Sequence, residues 1–292
     1  MDEAQTIVVG KKVHRPLLDN TTITDDLRVA REELNETPET REVALKVLKK
    51  MLAEQEEFIP RVDDVFLLRF LRCRKFDCER AFKTVKEHYK FRKQNPDIYP
   101  LPTGIEKALR ACIFNFLPHR DNKGRAIYVI KLVTRWIPEE MSYADFVAAG
   151  NLVAEYVLDN PVTQINGYVG IWDFKGFSLR HFLPFCSPRH IILLTTLMQD
   201  RFPARFKIAY CVNCKFLMHK AWMIFNPLMK EKFRKRIAIM GSDMSVLHQY
   251  LDPSILPVEY GGPITAPEDK GIAQKIIDKE HIVKYNNKFG YV

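Results

Sequence analysis

The sequence predicts an α/β protein with a small all-helical domain at its N-terminus. Three observations carry this. Up to about residue 95, apolar residues recur at the three- and four-residue spacing of amphipathic helices. Beyond about residue 110, short β-branched and aromatic runs alternate with helical stretches, as in a mostly parallel sheet covered by helices. The 292 residues, 47% hydrophobic and 28% charged, are enough to bury a full core.

Residues 1–35 are polar and mixed, with few apolar anchors before Leu27, and predict a flexible N-terminal segment. Thr37-Pro38 reads as a helix start with proline at the first helical position. Ala44, Leu45, Leu48, Met51 and Leu52 follow at helical spacing. "DDVFLLRFLRCRKFD" opens on Asp63 and Asp64, favourable at a helix N-terminus, and sets Phe66, Leu67, Phe70 and Leu71 on one side. "CERAFKTVKEHYKFRK" sets Phe82, Val85 and Tyr89 on one face, and Asn95-Pro96 ends it. A helical domain over 36–96 results.

The α/β domain is expected over 97–275, with 276–292 as a C-terminal tail. "CIFNFLPHRDNKGRAIYVIKL" reads as strand, polar turn at Asp121-Asn122-Lys123-Gly124, and strand. A helix follows from roughly Glu140 to Leu158. "GYVGIWDF", "FKIAYCVN" and "RIAIM" are strands. Ser187-Pro188 opens the helix "RHIILLTTLMQDRF", and "KFLMHKAWMIFNPLM" and "MSVLHQYL" are helices.

A net charge of +9 favours an anionic partner: nucleic acid, a membrane surface or an acidic ligand. Zinc-finger spacing and the aromatic strand signature of RNA readers are absent, so no nucleic-acid partner is expected. There is no GxSxG elbow, although "GFSLR" at Ser178 has a superficial likeness, and no P-loop, GxGxxG or HExxH. No catalytic residue, no cofactor and no metal are therefore expected. The lone CxxC of Cys211 and Cys214 lacks ligand partners and reads as two buried thiols, and His190 reads as a packed or capping histidine. Six scattered cysteines, no secretory signal and no apolar run of 18 residues point to a cytoplasmic chain.

In "KFLMHKAWMIFNPLM" the apolar residues wrap most of the way round the helix. Periodicity leaves two readings: a wholly buried helix, or one with a second apolar face for a lid or a membrane. Five of the seven residues 230–236 that follow are basic. Rings beside cations suit the interface of an anionic bilayer, where each basic residue contributes about 1 kcal/mol.

"FLLRFLRCRKFDCERAF" (66–82), "HRDNKGRAIYVIKL" (119–132), "GYVGIWDFKGF" (167–177) and "LPVEYGG" (256–262), in this order, resemble the CRAL-TRIO lipid-binding proteins. The likeness is nearest to the branch holding cellular retinaldehyde-binding protein and alpha-tocopherol transfer protein. It implies a helical N-terminal domain and an α/β cradle whose sheet floor and mobile gate helix enclose one hydrophobic ligand. The gate would carry Phe216, Leu217, Trp222, Met223, Phe225 and Met229. A phosphoinositide-bearing membrane would meet Arg72, Arg205, Lys207, Lys232, Arg234 and Arg236, holding the protein peripherally and reversibly. The resemblance carries Tyr168, Trp172, Phe177, Leu194, Leu197 and Met198 over as pocket lining. Val147, Gly150 and Ala154 stand where the tocopherol carrier has an aromatic and two hydroxyl residues. A larger or more apolar cargo, such as a carotenoid or another isoprenoid, fits that change. The alternative on the same fold is a non-transporting, lipid-sensing interaction module.

Overall fold

The computed structural model describes residues 5–265 and 270–292. Four helices build the N-terminal part: α1 (Thr24–Leu34), α2 (Pro38–Ala53), α3 (Asp64–Cys73) and α4 (Cys78–Gln94). Thr37 caps α2 by accepting from Thr40 N at 3.2 Å, and Asp63 caps α3 by accepting from Phe66 N at 3.0 Å. Leu48, Leu52, Leu67, Phe70, Leu71 and Val85 close a core between α2, α3 and α4. The apolar spacing of the sequence falls on these contacting faces.

The flexible start expected over 1–35 is corrected for its described part; residues 1–4 lie outside the described residues. Strands β1 (Ile7–Val9) and β2 (Lys12–His14) form a hairpin, and the chain then pairs with the turn after the first sheet strand. Leu17 N donates to Pro118 O at 2.8 Å, and the buried Arg15 pairs with Asp26 of α1 at 2.8 Å. The tail expected over 276–292 is likewise folded. A two-residue strand, β3 (Phe58–Ile59), pairs antiparallel with Gly290–Tyr291 near the far end of the chain.

The central sheet contains β4 (Phe114–Phe116), β5 (Ala126–Lys131), β6 (Tyr168–Asp173), β7 (Phe206–Val212) and β8 (Ile237–Ile239), side by side in that order. Gly290–Tyr291 is β9. β4 runs antiparallel to β5; the other pairs are parallel, as alternating strands and helices require. Both sheet faces are apolar because both are covered. Ile127, Val129, Val169, Ile171, Tyr210 and Val212 face one core. The alternate positions Ala126, Tyr128, Tyr168, Trp172, Phe206 and Cys211 face the other.

Helices α5 (Glu106–Arg110), α6 (Leu132–Arg135), α7 (Tyr143–Leu158) and α8 (Pro161–Asn166) connect the early strands. Ser142 caps α7, so this helix starts slightly later than the predicted Glu140. Next come α9 (Leu179–Phe185), α10 (Pro188–Thr196), α11 (Phe216–Phe225), α12 (Glu231–Arg234), α13 (Met244–His248), α14 (Lys270–Asp278) and α15 (Glu280–Asn286). Among the described residues no helix is long and apolar enough to cross a membrane.

Candidate ligand cavity and basic rim

The alternation that directs Tyr128, Tyr168, Trp172 and Phe206 to one sheet face also builds the floor of a cavity. About 140 Å³ of it is open to the centre of a water-sized sphere. Phe114, Phe116, Ile130 and Leu132 extend the floor; Phe146, Val147, Gly150, Asn151, Val153 and Ala154 of α7 form one side. Phe174, Phe185, Leu194, Leu197, Met198, Phe202 and Ala204 close the other.

Eight of the nine expected lining residues border this cavity: Val147, Gly150, Ala154, Tyr168, Trp172, Leu194, Leu197 and Met198. Phe177 does not border it; it packs on Phe174, Phe182 and Phe185 at 5.5–6.4 Å between ring centroids. The room expected at Gly150 is also taken, since a Cβ there would lie 2.8 Å from Phe114 Cζ. Sequence reasoning missed Phe114, Phe116, Tyr128, Phe185, Phe202 and Phe206. The two-residue period of β4 and β5 was the available signal for the first three.

The six expected gate residues lie one layer out, and none of them borders the cavity. Phe225 and Met229 are buried, and Phe225 stacks on the cavity residue Phe185 at 5.2 Å. Leu217 and Trp222 are half-buried. Phe216 and Met223 point outward, 73% and 66% exposed. Hence α11 has both faces that periodicity left undecided. Leu179 and Leu183 of α9, Ile192 of α10, and Ile224 and Leu228 after them are also exposed. They sit on and around α9, α10 and α11, and α9 packs against both of the others.

Arg72 leaves the expected membrane set. It is buried, its guanidinium clasps Glu36 at 2.7 and 2.9 Å, and its remaining arm donates to Gln164 Oε1 at 2.7 Å. A charge so fully spent is a structural tie between the α1–α2 connection, α3 and α8. The other basic residues do gather. Arg205 and Lys207 both bind Glu33 of α1, at 2.5 and 2.9 Å, and Arg205 also donates to the carbonyl of Ile165. Arg236 donates to the carbonyl of Phe206. Lys232 is exposed and Arg234 half-buried, and neither makes an ion pair among the described residues. Burial, and then the neighbouring Arg205, push the Lys207 pKa down. Desolvation works against ionised Glu33, yet hydrogen bonds from Lys207 and Arg205 outweigh it and hold its pKa low.

The thiols of Cys211 and Cys214 are buried as expected, and burial pushes Cys214 up to about 12. His190 stacks on Tyr143 at 3.8 Å, with its backbone N–H capped by Ser187. Ser178 Oγ lies 3.0 Å from His181 Nδ1, the nearby Glu139 is held by Arg180, and among the described residues no third group hydrogen-bonds that imidazole.

A profile described as the CRAL/TRIO domain matches residues 110–262, the span that holds the sheet and the cavity. The chain belongs to the CRAL-TRIO family. A Pinta-like UBA domain profile matches residues 37–100. Similar CRAL-TRIO relatives include mouse Clavesin-2, 34% identical over 263 residues, covering 88% of this chain and 80% of that protein. Human Alpha-tocopherol transfer protein-like is 37% identical over 248 residues, covering 82% and 71%. The crystal structure of Sfh5 superposes with a TM-score of 0.52 at 14% identity, over 90% of this chain and 99% of that one, and supports the CRAL-TRIO fold.

Proposed function

We propose that this chain is a carrier of one hydrophobic ligand, of the retinoid, tocopherol, carotenoid or similar isoprenoid kind, which it transfers at phosphoinositide-containing membranes. The observation that carries the reading is the apolar cavity roofed by helices whose outer faces are themselves apolar. Burying about 500 Å² of ligand at roughly 25 cal/mol per Å² contributes about 12 kcal/mol before binding costs, so holding cargo requires no chemistry. Likeness to a protein called Alpha-tocopherol transfer protein-like supports the cargo class.

Docking would use the outer faces of α9 and α11 for the acyl region, and Lys232, Arg234 and Arg236 for the headgroup. Arg205 and Lys207 would join once Glu33 lets go. In this reading α11 moves as a gate at the membrane. The protein works in the cytoplasm and associates peripherally.

Organic extraction of freshly purified protein, followed by mass spectrometry, tests the carrier reading. A stoichiometric apolar molecule is expected. If no lipid is recovered and none is taken up, the interaction module replaces it. Flotation with vesicles that contain or lack a phosphoinositide tests docking. Lys232→Ala with Arg234→Ala should abolish the phosphoinositide-dependent fraction, and unchanged flotation would remove these residues from the contact.

A further inference from the structure

The few polar groups on the cavity wall are not equally satisfied. Tyr168 Oη donates to the carbonyl of Ala154 at 2.8 Å, so its proton is used. Trp172 Nε1 donates to Tyr128 Oη at 2.8 Å. That bond occupies a lone pair of Tyr128 and leaves its proton unused. Among the described residues no acceptor receives the Tyr128 O–H.

The Tyr128 ring is also fixed. Its tip lies over Gly170 of the adjacent strand, where a Cβ would come within 2.4 Å of Cζ. Phe116, Tyr168 and Phe206 surround it, with ring centroids 6.2–6.4 Å away. Burial raises its pKa well above the ordinary phenol range, so the hydroxyl keeps its proton. The second polar group is Asn151 of α7. Its Nδ2 donates to Ile98 O at 3.3 Å, which leaves Oδ1 as an acceptor. No Lys, Arg or His is among the described residues that line the cavity, so nothing there offsets a buried carboxylate.

We propose that Tyr128 Oη–H anchors the polar end of the cargo, and that the cargo is an uncharged lipid bearing a hydroxyl or carbonyl oxygen. A free acid would bring an uncompensated charge into the cavity. A pure hydrocarbon would leave the phenol proton unmatched, whereas a ligand oxygen recovers that hydrogen bond. The assignment rests on the carrier reading and narrows it.

Four compounds on one skeleton test it: tritiated phytanol, phytanal, phytane and phytanic acid, each titrated against the full chain by equilibrium binding. Phytanol or phytanal should bind about fivefold more tightly than phytane, the size of one net hydrogen bond, and more tightly than phytanic acid. Which of the two leads tells a hydroxyl cargo from a carbonyl one. Tyr128→Phe should bring the preference to within about twofold. Trp172→Phe keeps the hydroxyl and should keep the preference. Equal binding of phytane, a preference for the acid, or discrimination that survives in Tyr128→Phe overturns the anchor and leaves the carrier reading standing. Loss of discrimination in both variants assigns the effect to packing and also overturns it. Binding of none of the four removes the anchor and the carrier reading together.

Discussion

The two walls of the cavity are held by different means. The sheet wall is a parallel ladder whose rings interlock and whose side chains bond across strands, as Trp172 does to Tyr128. The opposite wall is α10 and the widened turn Leu197–Arg201, where Phe202 N reaches back to Leu197 O. That turn packs against α4 of the helical domain. His88 Nδ1 donates to Arg201 O at 2.8 Å, and Arg201 pairs with Glu87 at 2.6 Å. We expect the sheet wall to be the rigid one, which sets the shape of a ligand, and the turn to be the yielding one, which admits it. Widened turns of this type often sit at functional sites.

Breaking the rigid wall should have the largest effect. Gly170→Val drives a branched side chain into the Tyr128 ring, which lines the cavity. Ligand binding should fall at least about tenfold, and overpacking should cost about 1–3 kcal/mol of stability. A titration with the extracted cargo and a urea melt measure both; unchanged binding would mean that the ring is not part of the seat.

Acid should loosen the yielding wall. Burial holds the His88 pKa down to about 3, against 6.5 for the ordinary group. The unfolded chain takes up that proton near pH 6.5 and the folded chain does not until about pH 3. Stability is therefore present at pH 7 and is lost as pH falls through this window. Between pH 6.5 and 5 the loss from this group should be about 2 kcal/mol. His88→Gln should be less stable than wild type at pH 7 but lose less on acidification. Parallel pH profiles would show that His88 is not the titrating group.

The sequence made some of this legible and hid the rest for physical reasons. Helix starts at Thr37, Asp63 and Ser187 are local devices, so local reading finds them, whereas the start capped by Ser142 is read slightly early, at roughly Glu140. β1 and β2 pair with each other across a short turn in a polar stretch, β9 exists through a distant contact, Phe58 with Tyr291, and none of these two- or three-residue strands carries a period of its own. Arg72 could not be told from Arg205 by residue type. Its fate was set by Glu36, 36 residues earlier in sequence, which removes it from the surface. Tyr128 escaped because an aromatic residue on a buried strand is ordinarily core, and only its unused proton marks it out.

The smallest expected effect sharpens the rim. Glu33 sits on Arg205 and Lys207 as an internal anion. Glu33→Gln should raise affinity for phosphoinositide vesicles a few-fold, in keeping with the modest worth of partly exposed ion pairs, and should leave cargo binding unchanged. Flotation at low and high salt measures it. Weaker docking by the variant would mean that Glu33 organises the site instead of competing for it.

The three tryptophans fall in three different settings. Trp136 is sealed in the core with its N–H on Met141 O at 3.0 Å, Trp172 faces the cavity, and Trp222 rides on the outer helix α11. Each ring reports through its emission on the medium next to it. Replacing two of the three with phenylalanine therefore gives three optical channels in one protein. Trp172 follows cargo arrival, Trp222 follows lipid contact, and Trp136 stays constant as the reference, so the order of docking and loading can be timed without any added label.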